Sequence, residues 1–159
     1  MKRFKHYNAK TVAEAVSLLS ANPGKAKVNA GGTDLIGVLK DDVLPTYPAV
    51  IINLKTILGL DYIKEEADTL KIGALAKLQD IATSTVVKEK YRILAEAAST
   101  VANLHIRNVA TLGGNLCQDV RCWYYRASKA VGRTFLCYRK GGPVCYAVPG
   151  DNRHHAILE

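Results

Sequence analysis

Short apolar segments alternate with polar turns along the chain, and the spacing of the apolar positions predicts small mixed elements. Residues 4–7 predict a strand. Thr11 and Glu14 form a capping-box pattern, which predicts that a helix begins there and stops at the Asn-Pro-Gly sequence of residues 22–24. A second strand is expected around residues 27–30, immediately before a glycine pair.

The same alternation continues after the glycine pair. We expect a short helix after residue 34, a buried β-branched strand at 50–53 and a hairpin around the acidic residues 65–68. Helical spacing returns at 78–83 and at 92–101. Strand-helix-strand units followed by a hairpin and helices predict an α+β fold.

Composition excludes several classes of protein. A hydrophobic content of 48% in 159 residues is typical of a folded chain with one sizeable core. The 22 Lys and Arg exceed the 14 Asp and Glu by 8, but the basic residues are dispersed among acids, so the charge is only a weak sign of nucleic-acid binding. No segment approaches the roughly 18 apolar residues of a membrane span, and the N-terminus lacks a signal-peptide pattern. We therefore expect a cytoplasmic protein with reduced thiols.

Two glycine pairs carry the candidate binding chemistry. Gly31 and Gly32 precede Thr33, and Gly113 and Gly114 follow Thr111. Glycine pairs beside a hydroxyl let backbone N–H groups approach a phosphate, so two such loops suggest a pyrophosphate held between them. Neither loop matches the Rossmann or P-loop pattern, and either pair alone is explained equally well by a tight turn.

All four cysteines lie after residue 115, in a segment that also contains the only Trp. Cys117, Cys122, Cys137 and Cys145 lack the close Cys-x-x-Cys spacing of a zinc site. A disulfide, a zinc site, an iron-sulfur cluster and simple buried thiols all remain open. A cluster tolerates wide spacing, and its negative charge would be offset by the neighbouring basic residues Arg121, Arg126, Arg133, Arg139 and Lys140.

The two glycine loops, the opening strand with its Thr-x-x-Glu-Ala-Val helix, and the sequence Ile-Arg-Asn-Val-Ala at 106–110 together resemble one family. They are similar to the FAD-binding subunit of the molybdenum hydroxylases, which include xanthine dehydrogenase and carbon monoxide dehydrogenase. The resemblance implies a PCMH-type fold like that of vanillyl-alcohol oxidase. Residues 1–56 would form its N-terminal α/β subdomain, and residues 57–159 would begin a second, antiparallel-sheet subdomain that is incomplete at the C-terminus.

The resemblance also implies which residues contact FAD. Those of the first loop and its flanks are Val28, Asn29, Ala30, Gly31, Gly32, Thr33, Asp34 and Leu35. Those of the second region are Arg107, Thr111, Leu112, Gly113, Gly114 and Asn115. Backbone N–H groups from both loops would face the diphosphate. Because a carboxylate is repelled by phosphate, we expect Asp34 to cap the following helix instead.

The cysteine segment resembles an insert found in a subset of these subunits, such as that of hydroxybenzoyl-CoA reductase. The insert, residues 117–155 here, would hold a 4Fe-4S cluster, with Cys122, Cys137 and Cys145 as ligands. The fourth ligand is open among Cys117, His154 and a cysteine beyond Glu159, and Cys117 is expected to pack beside the flavin. The chain as a whole resembles an N-terminal fragment of such a subunit. We expect this fragment to bind FAD weakly or not at all by itself.

The function that the resemblance implies is electron transfer. The flavin subunit would pass electrons between a molybdopterin-binding large subunit with its 2Fe-2S small subunit and an external carrier such as NAD, a quinone or a ferredoxin. The residues offer no general acid-base pair, so the redox chemistry would belong to the cofactors. Two alternatives remain: a metal-stapled basic nucleic-acid-binding module, and a structural subunit without flavin.

Overall fold

The first third of the chain forms a small parallel sheet in a computed structural model that describes residues 1–129, 132 and 135–155. Its three strands are β1 (Lys5–Asn8), β2 (Ala26–Asn29) and β3 (Val50–Asn53). Two helices, α1 (Val12–Ser20) and α2 (Leu35–Lys40), connect them. The order is β1-β3-β2, and both outer strands run parallel to the central one.

The start of α1 confirms the predicted capping pattern. The Thr11 Oγ1 accepts a hydrogen bond from the Glu14 N–H at 3.1 Å. The Glu14 carboxylate accepts one from the Lys10 N–H at 2.7 Å, one residue before the cap. Both bonds satisfy N–H groups that would otherwise lack a partner near the helix start.

The central strand β3 forms the core of this region. All four of its residues are buried, and Ile52 is fully enclosed against Ala9, Ala15 and Ile57. The Asn53 Nδ2 donates to the Asn8 Oδ1 at 2.8 Å, which joins the carboxyl ends of two neighbouring strands. The glycine loop that follows β2 leaves the same edge of the sheet, where open parallel sheets place their ligands.

The middle of the chain confirms the predicted hairpin. Strands β4 (Ile63–Glu66) and β5 (Thr69–Ile72) are antiparallel, and they are joined by Ala67 and Asp68. Both turn residues have positive φ, 46° and 61°, as a tight two-residue hairpin turn requires.

A helical layer follows the hairpin. Five helices surround a core of small and branched residues: α3 (Leu78–Thr83), α4 (Thr85–Lys90), α5 (Arg92–Thr100), α6 (Leu104–Arg107) and α7 (Leu112–Leu116). The predictions at 78–83 and 92–101 are confirmed, whereas α4, α6 and α7 were not predicted. All three are short, and α4 begins with Thr-Val-Val, whose β-branched residues favour strands.

The cysteine segment packs against the N-terminal sheet unit. It contains α8 (Trp123–Arg126) and a 3-10 turn at Tyr138–Lys140. A third core joins Val38, Val43 and Leu44 from α2 and the loop after it to four buried residues of this segment: Cys122, Tyr125, Cys137 and Ala147. The division of the chain at residue 56 stays a prediction.

The fold therefore has the mixed α/β content that the sequence indicates, with a parallel sheet and a separate antiparallel hairpin. Within residues 1–129, 132 and 135–155, every helix is too short or too polar to cross a bilayer.

Candidate functional site

The two glycine loops, about eighty residues apart in sequence, lie in direct contact. A Cβ added to Gly31 would overlap the Val109 carbonyl oxygen and lie 2.9 Å from the Ala110 Cα. A Cβ on Gly114 would lie 3.8 Å from the Ala30 Cβ. The structure thus brings the two predicted binding regions to one place, and only glycine at position 31 permits this approach.

The first loop presents unused hydrogen-bonding groups. Val28 and Asn29 end β2, and Leu35 begins α2. Among the described residues, no acceptor is bonded to the backbone N–H groups of residues 31–34. The Gly32 carbonyl accepts from the Ile36 N–H at 3.0 Å, and Gly32 itself has φ +75°. Free amides on a glycine turn are the donors that an anionic phosphate requires.

A buried acceptor lies beside these donors. The Asn29 Oδ1 is buried and has no hydrogen-bond partner, and it lies 2.8 Å from the position of a Cβ on Gly32. A buried polar atom without a partner costs free energy, so ligand-binding sites are common places to find one. The free amides of the first loop fit a ligand that carries phosphate oxygens, as FAD does.

The expectation that Asp34 caps α2 is wrong. Its side chain makes no capping hydrogen bond. Its two carboxylate oxygens instead accept from the Arg121 Nη1 at 2.9 Å and the Arg126 Nη2 at 3.0 Å. Two guanidinium groups outcompete a backbone N–H for a carboxylate because the paired charges strengthen the bonds. Asp34 thereby ties the first loop to the cysteine segment.

The second loop differs from the expectation in its backbone amides. Because Leu112 begins a short helix, the amides of the loop are already used. The Leu112 and Gly113 N–H groups each donate at 2.9 Å, to the carbonyls of Ala76 and Ala74, and the Gly114 N–H donates to the Thr111 Oγ1 at 3.2 Å. The Gly113 and Gly114 N–H groups, which we predicted to bind phosphate, are thus bonded within the protein. The small size of Gly114 instead lets the second loop lie close to Ala30.

Two further predicted contact residues have distinct surroundings. Arg107 donates from its Nε to the Gln79 Oε1 and from its Nη1 to the Val101 carbonyl, both at 3.1 Å. Its guanidinium therefore joins α6 to α3 and to the end of α5. The Asn115 side chain, half-buried on α7, has no bonded partner in the described part of the chain and remains available to a ligand.

Lys55 is a site residue that the sequence analysis missed. Its exposed Nζ donates to the carbonyl of Ala30 at 3.0 Å, which places a positive charge beside the first loop. Lys55 follows β3 by two residues and so lies at the same sheet edge as the loop. The sequence places Lys55 two residues after a predicted strand. Its position beside the first loop follows only from the strand order β1-β3-β2.

The three predicted cluster ligands line one cavity. Cys122, Cys137 and Cys145 border a space of about 330 Å³ between α8 and the 3-10 turn. A tight turn joins the last two: the Tyr138 N–H donates to the Val144 carbonyl at 3.1 Å, and the Gly142 N–H donates to the Cys137 carbonyl at 2.9 Å. The turn therefore brings the second and third thiols to one side of the cavity.

Lys140 is the basic neighbour that faces these thiols. Its Nζ is buried without a hydrogen-bond partner and lies 5.5 Å from the centre of the Tyr125 ring. Burial lowers the pKa of Lys140, and the nearby Cys137 and Cys122 oppose that shift. Lys140 does not line the cavity itself, but a buried ammonium without a hydrogen-bond partner favours negative charge in its neighbourhood.

The other basic residues of the segment have different partners. Arg121 and Arg126 pair with Asp34, and the Arg139 Nη1 lies 3.5 Å from the Asp119 Oδ1. Arg133 lies outside the described residues. The expectation that all five offset the charge of a cluster is therefore wrong for Arg121 and Arg126.

The candidates for a fourth ligand are separated by the structure. Cys117 is exposed at the end of α7, and His154 stacks on Trp123 with ring centres 5.0 Å apart. His155, the neighbour of His154, lines the cavity of the three cysteines. In residues 1–129, 132 and 135–155, no three His, Cys, Asp or Glu side chains form a group that could hold a metal ion, so this geometry supports neither the zinc interpretation nor the predicted cluster.

Comparison with known proteins agrees with the geometry of the loops. The sequence profile of the family described as the FAD-binding domain in molybdopterin dehydrogenase matches residues 2–123. The aldehyde oxidoreductase FAD-binding subunit PaoB of Escherichia coli K12 is 35% identical over 99% of this chain and 48% of its own length. The nicotinate dehydrogenase FAD-subunit of Eubacterium barkeri is 38% identical over 73% of this chain and 39% of its own length.

A solved structure shows the same fold. The carbon monoxide dehydrogenase of Hydrogenophaga pseudoflava matches with a TM-score of 0.68 and 36% identity, over 72% of this chain and 39% of that one. The chain thus spans about half, or less, of the length of the relatives that it matches.

The family profile ends at residue 123, so most of the cysteine segment lies outside it, whereas the PaoB match includes nearly the whole chain. These matches favour the flavin interpretation over a nucleic-acid-binding module or a structural subunit. The chain belongs to the family of FAD-binding domains of molybdopterin dehydrogenases.

Proposed function

We propose that this chain binds FAD in the cleft where its two glycine loops meet, and that it serves as the electron-transferring flavin subunit of a molybdenum-containing hydroxylase or dehydrogenase. The observation that carries the proposal is the contact of Gly31 with the backbone of Val109 and Ala110, beside the free amides of residues 31–34. That combination is needed to hold a diphosphate between distant segments.

Each part of the site has a defined task. The amides of residues 31–34 and the exposed Thr33 hydroxyl bind phosphate oxygens, and Lys55 balances their charge from the sheet edge. Leu112 and Asn115 border the opposite side of the cleft on α7. The bound FAD supplies both hydride and single-electron chemistry, while the chain positions it.

The surrounding architecture extends this proposal. We assign the PCMH-type fold, with residues 1–56 as its N-terminal subdomain and residues 57–159 as part of the second. Electrons would pass between a molybdopterin-binding large subunit with its 2Fe-2S small subunit and an external carrier, namely NAD, a quinone or a ferredoxin. The names of the relatives support this role, since they include an aldehyde oxidoreductase FAD-binding subunit and a nicotinate dehydrogenase FAD-subunit.

We further propose that Cys122, Cys137 and Cys145 bind a 4Fe-4S cluster. Two features support it: the cavity that the three thiols share, and the buried Lys140 ammonium near Cys137 and Cys122, which has no hydrogen-bond partner. A thiolate-bound cluster carries negative charge, which Lys140 would neutralise. This proposal requires the reducing, cytoplasmic compartment that the composition favours.

The test is the cofactor content of the protein purified anaerobically at its native length and in its native complex. We expect FAD, identified by chromatography after release, together with iron and acid-labile sulfide. Replacement of Cys137 by Ser should remove most of the iron and leave the FAD. Native protein without flavin would overturn the electron-transfer assignment, and flavoprotein without iron would overturn only the cluster.

A further inference from the structure

We propose that Arg126 is a positioning residue for FAD: its guanidinium holds the Asp34 carboxylate and thereby keeps the free amides of residues 31–34 directed at the diphosphate. This inference rests on the FAD site proposed above and deepens it. Arg126 is the last residue of α8 and lies beyond residues 2–123, which the family profile matches. The cysteine segment thus gains a task in flavin binding.

Asp34 is a carboxylate within a loop that is proposed to bind phosphate. It is the last of the four residues whose N–H groups have no acceptor in the described part of the chain. A negative carboxylate repels a diphosphate, and an unpaired aspartate at the start of a helix favours capping that helix. Asp34 makes no capping bond and is paired with Arg126 and Arg121 instead. The two guanidinium groups both neutralise the carboxylate and fix its direction.

The guanidinium of Arg126 is fixed independently of Asp34. Its Nε donates to the Val120 carbonyl at 2.6 Å, and its Nη2 donates to the Asp119 carbonyl at 2.8 Å. The same Nη2 donates to the Asp34 Oδ2 at 3.0 Å. Because a guanidinium presents its donors in a rigid plane, the two carbonyl bonds determine where the third bond is made. Arg126 therefore sets the position of the Asp34 carboxylate.

The backbone that holds Arg126 is itself anchored in a core. The Tyr125 hydroxyl donates to the Asp119 Oδ2 at 2.5 Å, and the Val120 N–H donates to the Asp119 Oδ1 at 3.0 Å. Tyr125 is buried in the core that the cysteine segment shares with Val38 of α2. A continuous set of contacts thus runs from this core through Asp119 and Arg126 to the first loop.

Arg121 binds the same carboxylate in a different environment. Its Nη1 donates to the Asp34 Oδ1 at 2.9 Å, but its side chain is 64% exposed, compared with 18% for Arg126. Within the described residues, its guanidinium has no other bonded partner. An exposed ion pair is screened by solvent and contributes little. Arg121 is therefore the matched control for Arg126.

The experiment uses the native-length chain in its native complex and measures two properties of bound FAD. Arg126→Met is expected to raise the FAD dissociation constant about tenfold through the loss of a charged hydrogen bond. At saturating FAD it should also shift the phosphorus NMR resonances of the diphosphate, because the loop amides change direction. Arg121→Met should raise the dissociation constant by less than about twofold and leave those resonances in place. Loss of folding stability alone would not move the resonances of FAD that remains bound.

Two further variants test how Arg126 acts. Arg126→Lys keeps the charge and the fold but cannot make the three bonds of the planar guanidinium, so it should still shift the phosphorus resonances. In the Asp34→Asn background, Arg126→Met should change the FAD dissociation constant by less than about twofold, because residues that act through one contact are not additive.

The outcomes separate this inference from the proposed function. Wild-type phosphorus resonances in Arg126→Met or Arg126→Lys, equal effects of Arg126→Met and Arg121→Met, or a full effect of Arg126→Met in the Asp34→Asn background would each overturn the positioning role. All three results would leave FAD binding and electron transfer standing. Native protein without flavin would overturn the proposed function, and this inference with it.

Discussion

At the scale of single residues, the proposed flavin site depends on the absence of a side chain at Gly31. Gly31 lies so close to the Val109 carbonyl that a Cβ cannot be accommodated without moving backbone. Gly37, only six residues later in α2, has nothing within 4 Å of the same position. The two glycines therefore form a matched pair for substitution.

Gly31→Ala is expected to separate the two loops and to reduce the FAD content of the purified protein at least tenfold, since about 1.4 kcal/mol of lost binding suffices for that. Gly37→Ala should retain FAD and stabilise the fold by about 0.5–1 kcal/mol, because alanine is the better helix former. FAD per chain and thermal unfolding measure both effects. Equal FAD in the two variants would contradict the proposed cleft.

Lys55 is expected to act through charge. Lys55→Met should raise the FAD dissociation constant about tenfold, corresponding to the loss of roughly 1.4 kcal/mol from a charged contact. The difference from the wild type should shrink as salt screens the exposed ammonium. Lys27→Met, on an exposed position of β2, is the control. A salt-independent effect, or an equal effect of the control, would exclude the assigned role.

At the scale of elements, Asp34 joins the first glycine loop to the cysteine segment. Asp34 and Arg126 are both largely shielded, with side-chain exposures of 17% and 18%, so their ion pair is less screened than one on the open surface. This ion pair therefore holds the first glycine loop and the cysteine segment together, so a change in one is expected to affect the other.

Asp34→Asn keeps the size of the side chain and removes the charge that both arginines bind. We expect it to lower the free energy of unfolding by about 1–3 kcal/mol and to speed proteolysis within residues 117–155. Asp61→Asn, on an exposed loop, should change stability by less than about 0.5 kcal/mol. Chemical denaturation and timed digestion measure these effects. Protection of the segment equal to that of the wild type would show that the link is dispensable.

The Thr111 cap fixes the start of α7, which borders the proposed flavin site. Thr111→Val removes the oxygen that accepts from the Gly114 N–H and should cost about 1 kcal/mol of stability. Thr100→Val is the control, because the Thr100 hydroxyl only donates to the Ala97 carbonyl on the exposed end of α5. Thermal unfolding compares them, and an equal loss in both would argue against a specific capping effect.

At the scale of the whole molecule, local patterns predicted most elements and few of the contacts between them. The Thr11 cap, the buried strand β3 and the hairpin turn at Ala67 are encoded within a few residues, so the sequence reveals them. The meeting of the glycine loops was predictable because the resemblance assigned both to one cofactor.

The remaining features depend on distant partners. The pairing of Asp34 with Arg121 spans 87 residues, and the place of Lys55 follows from strand order. Adjacent histidines look alike in sequence, and only the fold separates His154, which stacks on Trp123, from the half-buried His155, which lines the cavity of the three cysteines. Which of two adjacent side chains contacts a given region depends on tertiary packing, which a local sequence pattern does not predict.

The core shared by α2 and the cysteine segment has an evolutionary consequence. Val38, Val43 and Leu44 belong to the part of the chain that the family profile matches, yet residues beyond that match cover them. In homologous subunits that lack the cysteine segment, these three positions would be exposed to solvent. Covariation is therefore expected: lineages that lose the thiols should acquire polar or smaller residues at 38, 43 and 44, or bring another subunit to shelter them.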